Sequence, residues 1–250
     1  MEKNILHVGL DVGSTTVKII VMNSNLETIY EDYQRHFSDT KNTVCNVLEN
    51  LIKKYPENSF TIALTGSGAM SASKFLGVEF IQEVVSCKRV VEKYIPETDV
   101  VIELGGEDAK IIYLTQGVEL RMNEACAGGT GAFIDQMASL LKTDPIGLDQ
   151  LAQNARRSHP IASRCGVFAK TDVVALLNSG VPREEIARSI FEAVADQAIS
   201  GLACGRPIAG RVAFLGGPLH FLPQLALAFE RKLKAPGTEF KHFENAQYAV

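Results

Sequence analysis

No apolar run in the 250-residue sequence approaches the roughly 20 residues that a bilayer-spanning helix needs, so a membrane protein is not expected. There is no block of Lys and Arg either, and the formal net charge is -4. Non-specific nucleic-acid binding depends on clustered cations that neutralise phosphates, so that class is excluded. A single nucleotide needs only a few placed groups and stays possible. Residues 1–10 lead from a short apolar stretch straight into a Gly-rich turn, without a secretory apolar core or cleavage site, and the cytoplasm is the expected location. The five cysteines are odd in number and contain no Cys-x-x-Cys pair, which argues against a disulfide framework. What remains is an ordinary globular composition, 46% hydrophobic and 22% charged, long enough for one large domain or two modest ones.

The most informative feature is an internal repeat. Residues 5–22 and 97–114 each read as an apolar strand, an acidic residue, a Gly turn and a second apolar strand. A shift of 92 places Asp11 on Glu103, Gly13 on Gly105, Lys18 on Lys110 and Ile19-Ile20 on Ile111-Ile112. Each half is predicted to be a β-hairpin, and two such hairpins predict two similar α/β lobes facing each other, 1–96 and 97–250, with a boundary near Pro96. Helices are predicted over 43–55, 84–94, 131–141, 167–177, 183–204 and 222–233 from apolar spacing, and short strands over 60–64 and 212–215. An apolar stretch that begins at Asn245 stops at Val250, which suggests a fragment of something longer.

The turns carry candidate chemistry. Gly13 is expected to let the first turn bend and let a phosphate approach the backbone. The amides and hydroxyls of Ser14, Thr15 and Thr16 can donate to phosphate oxygens. Asp11 can hold Mg²⁺ through water. The second turn offers Glu103, Gly105, Gly106, Glu107 and Asp108. Asp11 and Glu103 are candidates for organising Mg²⁺ and water, and Glu107 or Asp108 for the attacking water. Glu107 and Asp108 can equally be solvated turn residues, and Lys18 and Lys110 either phosphate contacts or exposed strand residues. Asp11→Asn is expected to abolish hydrolysis and leave the fold intact. Together with a late Gly216-Gly217 loop after a strand, this arrangement resembles the actin-like ATPase superfamily of sugar kinases, acetate kinases and heat-shock chaperones. The resemblance implies two ribonuclease-H-like lobes of an α/β fold. ATP or ADP with Mg²⁺ would lie in the cleft, its phosphates on the two Gly turns and its adenosine on Gly216-Gly217.

Two cysteines stand directly before predicted helices. Cys126 opens Cys-Ala-Gly-Gly-Thr-Gly-Ala-Phe-Ile-Asp, and Cys165 lies in Ser-Arg-Cys-Gly-Val-Phe-Ala-Lys. A helix N-terminus favours a thiolate and any anionic group attached to it, an iron–sulfur cluster included. Two cysteines cannot hold a four-iron cluster, but a two-fold dimer brings four thiolates to one axis. Cys45, Cys87 and Cys204 read as ordinary cysteines. The paired motifs closely resemble the activators of 2-hydroxyacyl-CoA dehydratases, which belong with the benzoyl-CoA reductase ATPase subunits.

That resemblance implies a homodimer sharing one 4Fe-4S cluster, with Cys126 and Cys165 of each subunit as ligands. Gly129, Thr130 and Gly131 would connect the cluster helix to the nucleotide. A low-potential donor such as ferredoxin or flavodoxin would supply the electron, and a dehydratase or reductase acting on a CoA thioester would receive it. Glu107 stands where short activators usually carry Gln, and Lys170 where they usually carry a carboxylate. The segment Gly216-Gly217-Pro218-Leu219-His220-Phe221 looks more like the first module of long activases, in which a second fused module would replace the dimer partner. Two alternatives stand beside this reading: a small-molecule kinase on the same fold, and a nucleotide-sensing module without catalysis.

Overall fold

In β1 (Ile5–Val12) the side chains of Leu6, Val8 and Leu10 alternate into a core while the residues between them stay more exposed, the period of two that makes a strand. β1 pairs antiparallel with β2 (Thr16–Met22), and β2 with β3 (Thr28–Arg35). The computed structural model describes residues 5–115, 117–123, 128–163 and 165–248. The chain divides into two compact units, with the boundary in the sequence between Val90 and Val91.

In the first unit, α1 (Thr40–Lys54) follows the three strands and buries Val47 and Leu51. β4 (Ser59–Thr65) then returns parallel to β1. α2 (Ala69–Leu76) and β5 (Glu79–Phe80) complete it, and α3 (Glu83–Tyr94) carries the chain into the second unit. The sheet order is β3-β2-β1-β4-β5, and its buried face packs Leu10, Val17, Ile19, Leu51 and Leu64 into one cluster.

The second unit repeats this plan. β6 (Val100–Leu104), β7 (Ala109–Tyr113) and β8 (Glu119–Asn123) form an antiparallel meander. Four helices follow: α4 (Gly131–Leu140), α5 (Pro145–Gln153), α6 (Gly166–Asn178) and α7 (Arg183–Ala203). β9 (Arg211–Leu215) then lies parallel to β6. α8 (Gly217–Phe221), α9 (Pro223–Leu233), β10 (Glu239–His242) and a 3₁₀ turn (Ala246–Tyr248) end the unit. The sheet order, β8-β7-β6-β9-β10, matches that of the first unit strand for strand. α7 is buried along most of its length and forms the spine of this core, which explains why its apolar pattern is not confined to one stripe.

The 92-residue shift holds in the hydrogen-bonded register. Asp11 pairs with Lys18 and Val12 with Val17; Glu103 pairs with Lys110 and Leu104 with Ala109. The repeat is larger than the hairpin read from the sequence, because each module adds a third antiparallel strand and a parallel fourth and fifth. Among the described residues, no helix is long and apolar enough to cross a membrane. The apolar stretch expected from Asn245 is the short 3₁₀ turn, whose Ala246 carbonyl accepts the Gly216 amide at 3.0 Å.

Candidate functional site

At the first turn, Asp11 is 6% exposed at the end of β1, and its Oδ2 lies 2.7 Å from Lys18 Nζ. The Gly13 amide donates to the Thr16 carbonyl at 2.9 Å, which closes the turn. Ser14 and Thr15 are half-buried and Thr16 is buried. Gly13 does not occupy the left-handed region, and a Cβ there would meet Thr16 O at an ordinary 3.4 Å, so the bend does not depend on glycine at this position. The glycine this site needs is Gly66, just after β4. Its φ is +101°, and a Cβ would overlap both Asp11 Oδ1 and the Val12 carbonyl. Gly66→Ala is expected to cost more than about 2 kcal/mol of stability, whereas Gly77→Ala should cost only about 1 kcal/mol from backbone strain. Gly77 is also left-handed, at φ +66°, but a Cβ there would have open space. Thermal melts of the two variants check this.

The second turn follows the same plan. The Gly105 amide donates to the Asp108 carbonyl at 2.9 Å, the counterpart of the Gly13–Thr16 bond. Lys110 is 3% exposed and lies 2.9 Å from Asp108 Oδ2 and 3.4 Å from Glu103. Neither Lys110 nor Lys18 is an exposed strand residue; Lys18 lies against Asp11, and Lys110 against Glu103 and Asp108. Asp108 is half-buried in this ion pair and Glu107 is exposed. Gly216, after β9, is the counterpart of Gly66: its φ is +90° and a Cβ would overlap the Leu104 carbonyl. Gly217 opens α8.

This turn is also bonded to the start of α4. The Gly131 amide donates to the Gly105 carbonyl at 3.0 Å and the Ala132 amide to the Gly106 carbonyl at 2.7 Å. Two orphan amides of the helix N-terminus are thereby satisfied by the turn itself. Thr130, fully buried, is the N-cap residue, and Gly129 precedes it at φ +82°.

Cys126 lies outside the described residues. Cys165 is the N-cap residue of α6; its carbonyl accepts the Ala169 amide at 3.0 Å and its thiol makes no capping bond. A Cβ on Gly166 would lie 3.4 Å from the Phe133 ring of α4 and 3.9 Å from Gly128 Cα. The segment that follows Cys126 and the helix that begins at Cys165 are therefore neighbours in this unit. Gly128 in turn packs so closely on α7 that a Cβ would overlap the Gln197 side-chain amide. A pocket of about 400 Å³ opens beside these segments, lined in part by Asn123, Gly128, Ser163 and Gln197.

The loop that leads to Cys165 is fastened at several points. Arg157 and His159 both reach Glu185 Oε2, at 3.0 and 2.8 Å, and the His159 amide donates to Ser189 Oγ at 2.7 Å. The His159 bond, followed by the Arg157 bond, holds the Glu185 carboxyl below the usual carboxylate range. The Ala162 amide donates to Asp172 Oδ2 of α6 at 2.8 Å. Cys165 itself is part-exposed, and the next residues, Val167 and Phe168, are exposed. Cys45 and Cys204 are exposed and Cys87 is buried. The sequence marks Gly66 only by a Thr-Gly-Ser-Gly run after a strand, and marks His36, whose Nε2 lies 3.2 Å from the Gly13 carbonyl oxygen, by no motif.

Two copies of one five-stranded module, each with an acidic residue paired to a lysine at a closed turn, give the duplicated α/β fold of the actin-like class. The chain belongs to the BadF/BadG/BcrA/BcrD ATPase family, whose model matches residues 8–236. It is 32% identical over 220 residues to the (R)-2-hydroxyglutaryl-CoA dehydratase activating ATPase of Acidaminococcus fermentans, covering 86% of this chain and 83% of that one. Among solved structures it is similar to the activator of the 2-hydroxyisocaproyl-CoA dehydratase from Clostridium difficile with bound ADPNP. That match has a TM-score of 0.85 and 28% identity, and covers 98% of this chain and 90% of that one. A glucokinase of the ROK family from Streptomyces griseus shares the fold alone, with a TM-score of 0.53 and 12% identity over 98% of this chain and 95% of that one.

Proposed function

We propose that the chain is an ATP-driven activator that passes a low-potential electron to an enzyme acting on a CoA thioester. The observation that carries this reading is the placement of Cys165. Its helix start lies against Gly128, while α4, which follows Gly128 by three residues, is hydrogen-bonded to the 105–106 turn. A thiolate site and a phosphate turn thus share one short, stiff segment.

The residues fit the groups this requires. The 13–16 and 105–108 turns bind the phosphates of ATP through backbone amides, with Ser14, Thr15 and Thr16 adding hydroxyls. Asp11 and Glu103 orient Mg²⁺-bound water, and Gly216-Gly217 receives the adenosine. Thr65, the register neighbour of Asp11, supports a polar guest at this spot. Its hydroxyl is buried with no hydrogen-bond partner among the described residues, an arrangement that is costly unless something else satisfies it. Cys165 and Cys126 supply two thiolates, and a second copy of the chain or a fused second module supplies the other two. A bound 4Fe-4S cluster provides the one-electron chemistry. The part-exposed thiol at the start of α6 supports such a shared site, because the amides there stabilise negative charge. A ferredoxin or flavodoxin is the donor class, and a 2-hydroxyacyl-CoA dehydratase or related reductase the acceptor. A cytoplasmic location belongs to the same reading.

Anaerobic purification tests the reading. The expected product is a brown dimer with about four irons and matching sulfide, together with ATP hydrolysis. Reconstitution that leaves the protein without iron would overturn it, and phosphorylation of a sugar or acid would point to a kinase instead.

A further inference from the structure

His36 is 6% exposed, yet it stands directly behind the first turn. Several bonds fix it there, among them one from Thr40 Oγ1, 3.4 Å from Nδ1. Its Nε2 lies 3.2 Å from the Gly13 carbonyl oxygen, its Nδ1 accepts the Ser38 amide at 3.1 Å, and its own amide donates to the Thr15 carbonyl at 3.1 Å. A backbone amide can only donate, so Nδ1 is the acceptor and the ring proton sits on Nε2, where it donates to Gly13. The neighbours therefore select the tautomer with its proton on Nε2.

The backbone is bent to make this possible. Phe37 and Ser38 both adopt left-handed conformations, with φ of +45° and +69°, although neither is glycine. The bend does not serve to bury Phe37, whose side chain is 83% exposed. It brings the Ser38 amide back onto the imidazole.

The consequence lies in the peptide that follows Gly13. In a trans peptide the carbonyl and the next N–H point in opposite directions. Holding the Gly13 carbonyl from behind aims the Ser14 N–H forward, out of the turn. The second module makes the same provision with other means. The equivalent carbonyl, Gly105 O, is held by the Gly131 amide at the start of α4. One carbonyl in each module is anchored, once by a helix N-terminus and once by an imidazole.

We infer that His36 is a positioning residue for nucleotide binding: its Nε2–H locks the Gly13–Ser14 peptide with the Ser14 amide facing a phosphate oxygen. This rests on the reading of the 13–16 turn as a phosphate site. The test compares His36→Met with His36→Gln in the full chain. The two side chains have the same length, and only glutamine retains a donor. Titration calorimetry with Mg²⁺ and ADPNP should show about tenfold weaker binding for the methionine variant, as expected for one lost directing hydrogen bond, and recovery to within about threefold for glutamine. Turnover at saturating ATP should stay within about twofold for both, because the ring touches no reacting atom. In the nucleotide-free protein the Ser14 amide resonance should move for methionine and not for glutamine. If His36→Met does not fold, His36→Asn takes its place, since its amide can still accept from Ser38 but does not reach Gly13. Wild-type protein that binds no ADPNP sinks the turn reading and this inference together. Wild-type protein that binds, with a methionine variant that binds equally well, sinks the role of His36 alone, as does equal weakening by methionine and glutamine.

Discussion

Cys165→Ala is expected to reduce bound iron to below about a tenth of the wild-type level and to abolish electron delivery, with ATP binding unchanged within about twofold. The selectivity follows from the local geometry. Cys165 is the N-cap residue of α6, but its thiol makes no capping bond, and the bond that starts the helix comes from its backbone carbonyl. Alanine retains that carbonyl, so no helix-starting interaction is lost. The side chain is only part-buried, so little packing goes with it. The thiolate is what disappears. Cys45 and Cys204, both exposed, serve as controls: their alanine variants should hold the full iron complement. Iron and sulfide analysis after anaerobic reconstitution, with ADPNP calorimetry on the same samples, checks all three. Full iron in Cys165→Ala would remove this residue from the site.

Much of this arrangement is legible in the sequence, and what is not has a physical cause. The hairpins can be read because β1, β2, β6 and β7 are buried and apolar, and because the acidic residue, glycine and lysine recur at one offset. β3 and β8 escape that reading. Each is an outer strand of its meander, with a mixed and largely polar pattern such as Thr-Ile-Tyr-Glu-Asp-Tyr-Gln-Arg. In β8 the apolar Leu120 and Met122 are the more exposed residues, so the alternation that marks a half-buried strand is inverted there. The parallel partners β4 and β9 were found as strands, but their equivalence was hidden. It rests on Gly66 and Gly216, which occupy corresponding turns 150 residues apart, within otherwise unlike segments. α5 carried a cue in Asp144-Pro145, a capping residue followed by proline at the first helical position, and the Asp144 side chain does accept the Gly147 amide at 2.7 Å. His36 was not legible at all. Its role depends on a left-handed bend at two residues that have no propensity for one, and on a carbonyl 23 positions earlier.

The buried lysines change what removal of the first acidic residue should do. Asp11→Asn is expected to lower the rate of ATP hydrolysis by on the order of a hundredfold or more, through loss of a charge that orients the metal and its water. A loss of stability is expected as well, beyond the effect on hydrolysis. Lys18 lies 2.7 Å from Asp11, and both side chains are almost wholly buried. Neutralising the carboxylate leaves a buried ammonium without that counter-charge, a loss of about 3 kcal/mol for a pair of this kind. Glu103→Gln should cost little stability, because Lys110 retains Asp108 at 2.9 Å and Glu103 is the more distant carboxylate at 3.4 Å. The double variant Asp11→Asn with Lys18→Met separates the two effects. Removing both charges should restore most of the melting temperature, as replacing a whole buried pair generally does, while hydrolysis stays low. Chemical denaturation and steady-state ATPase rates on the four proteins decide the matter. Wild-type hydrolysis in the double variant would show that Asp11 serves the fold and not the reaction. An unchanged midpoint in Asp11→Asn would show that Lys18 finds its counter-charge elsewhere.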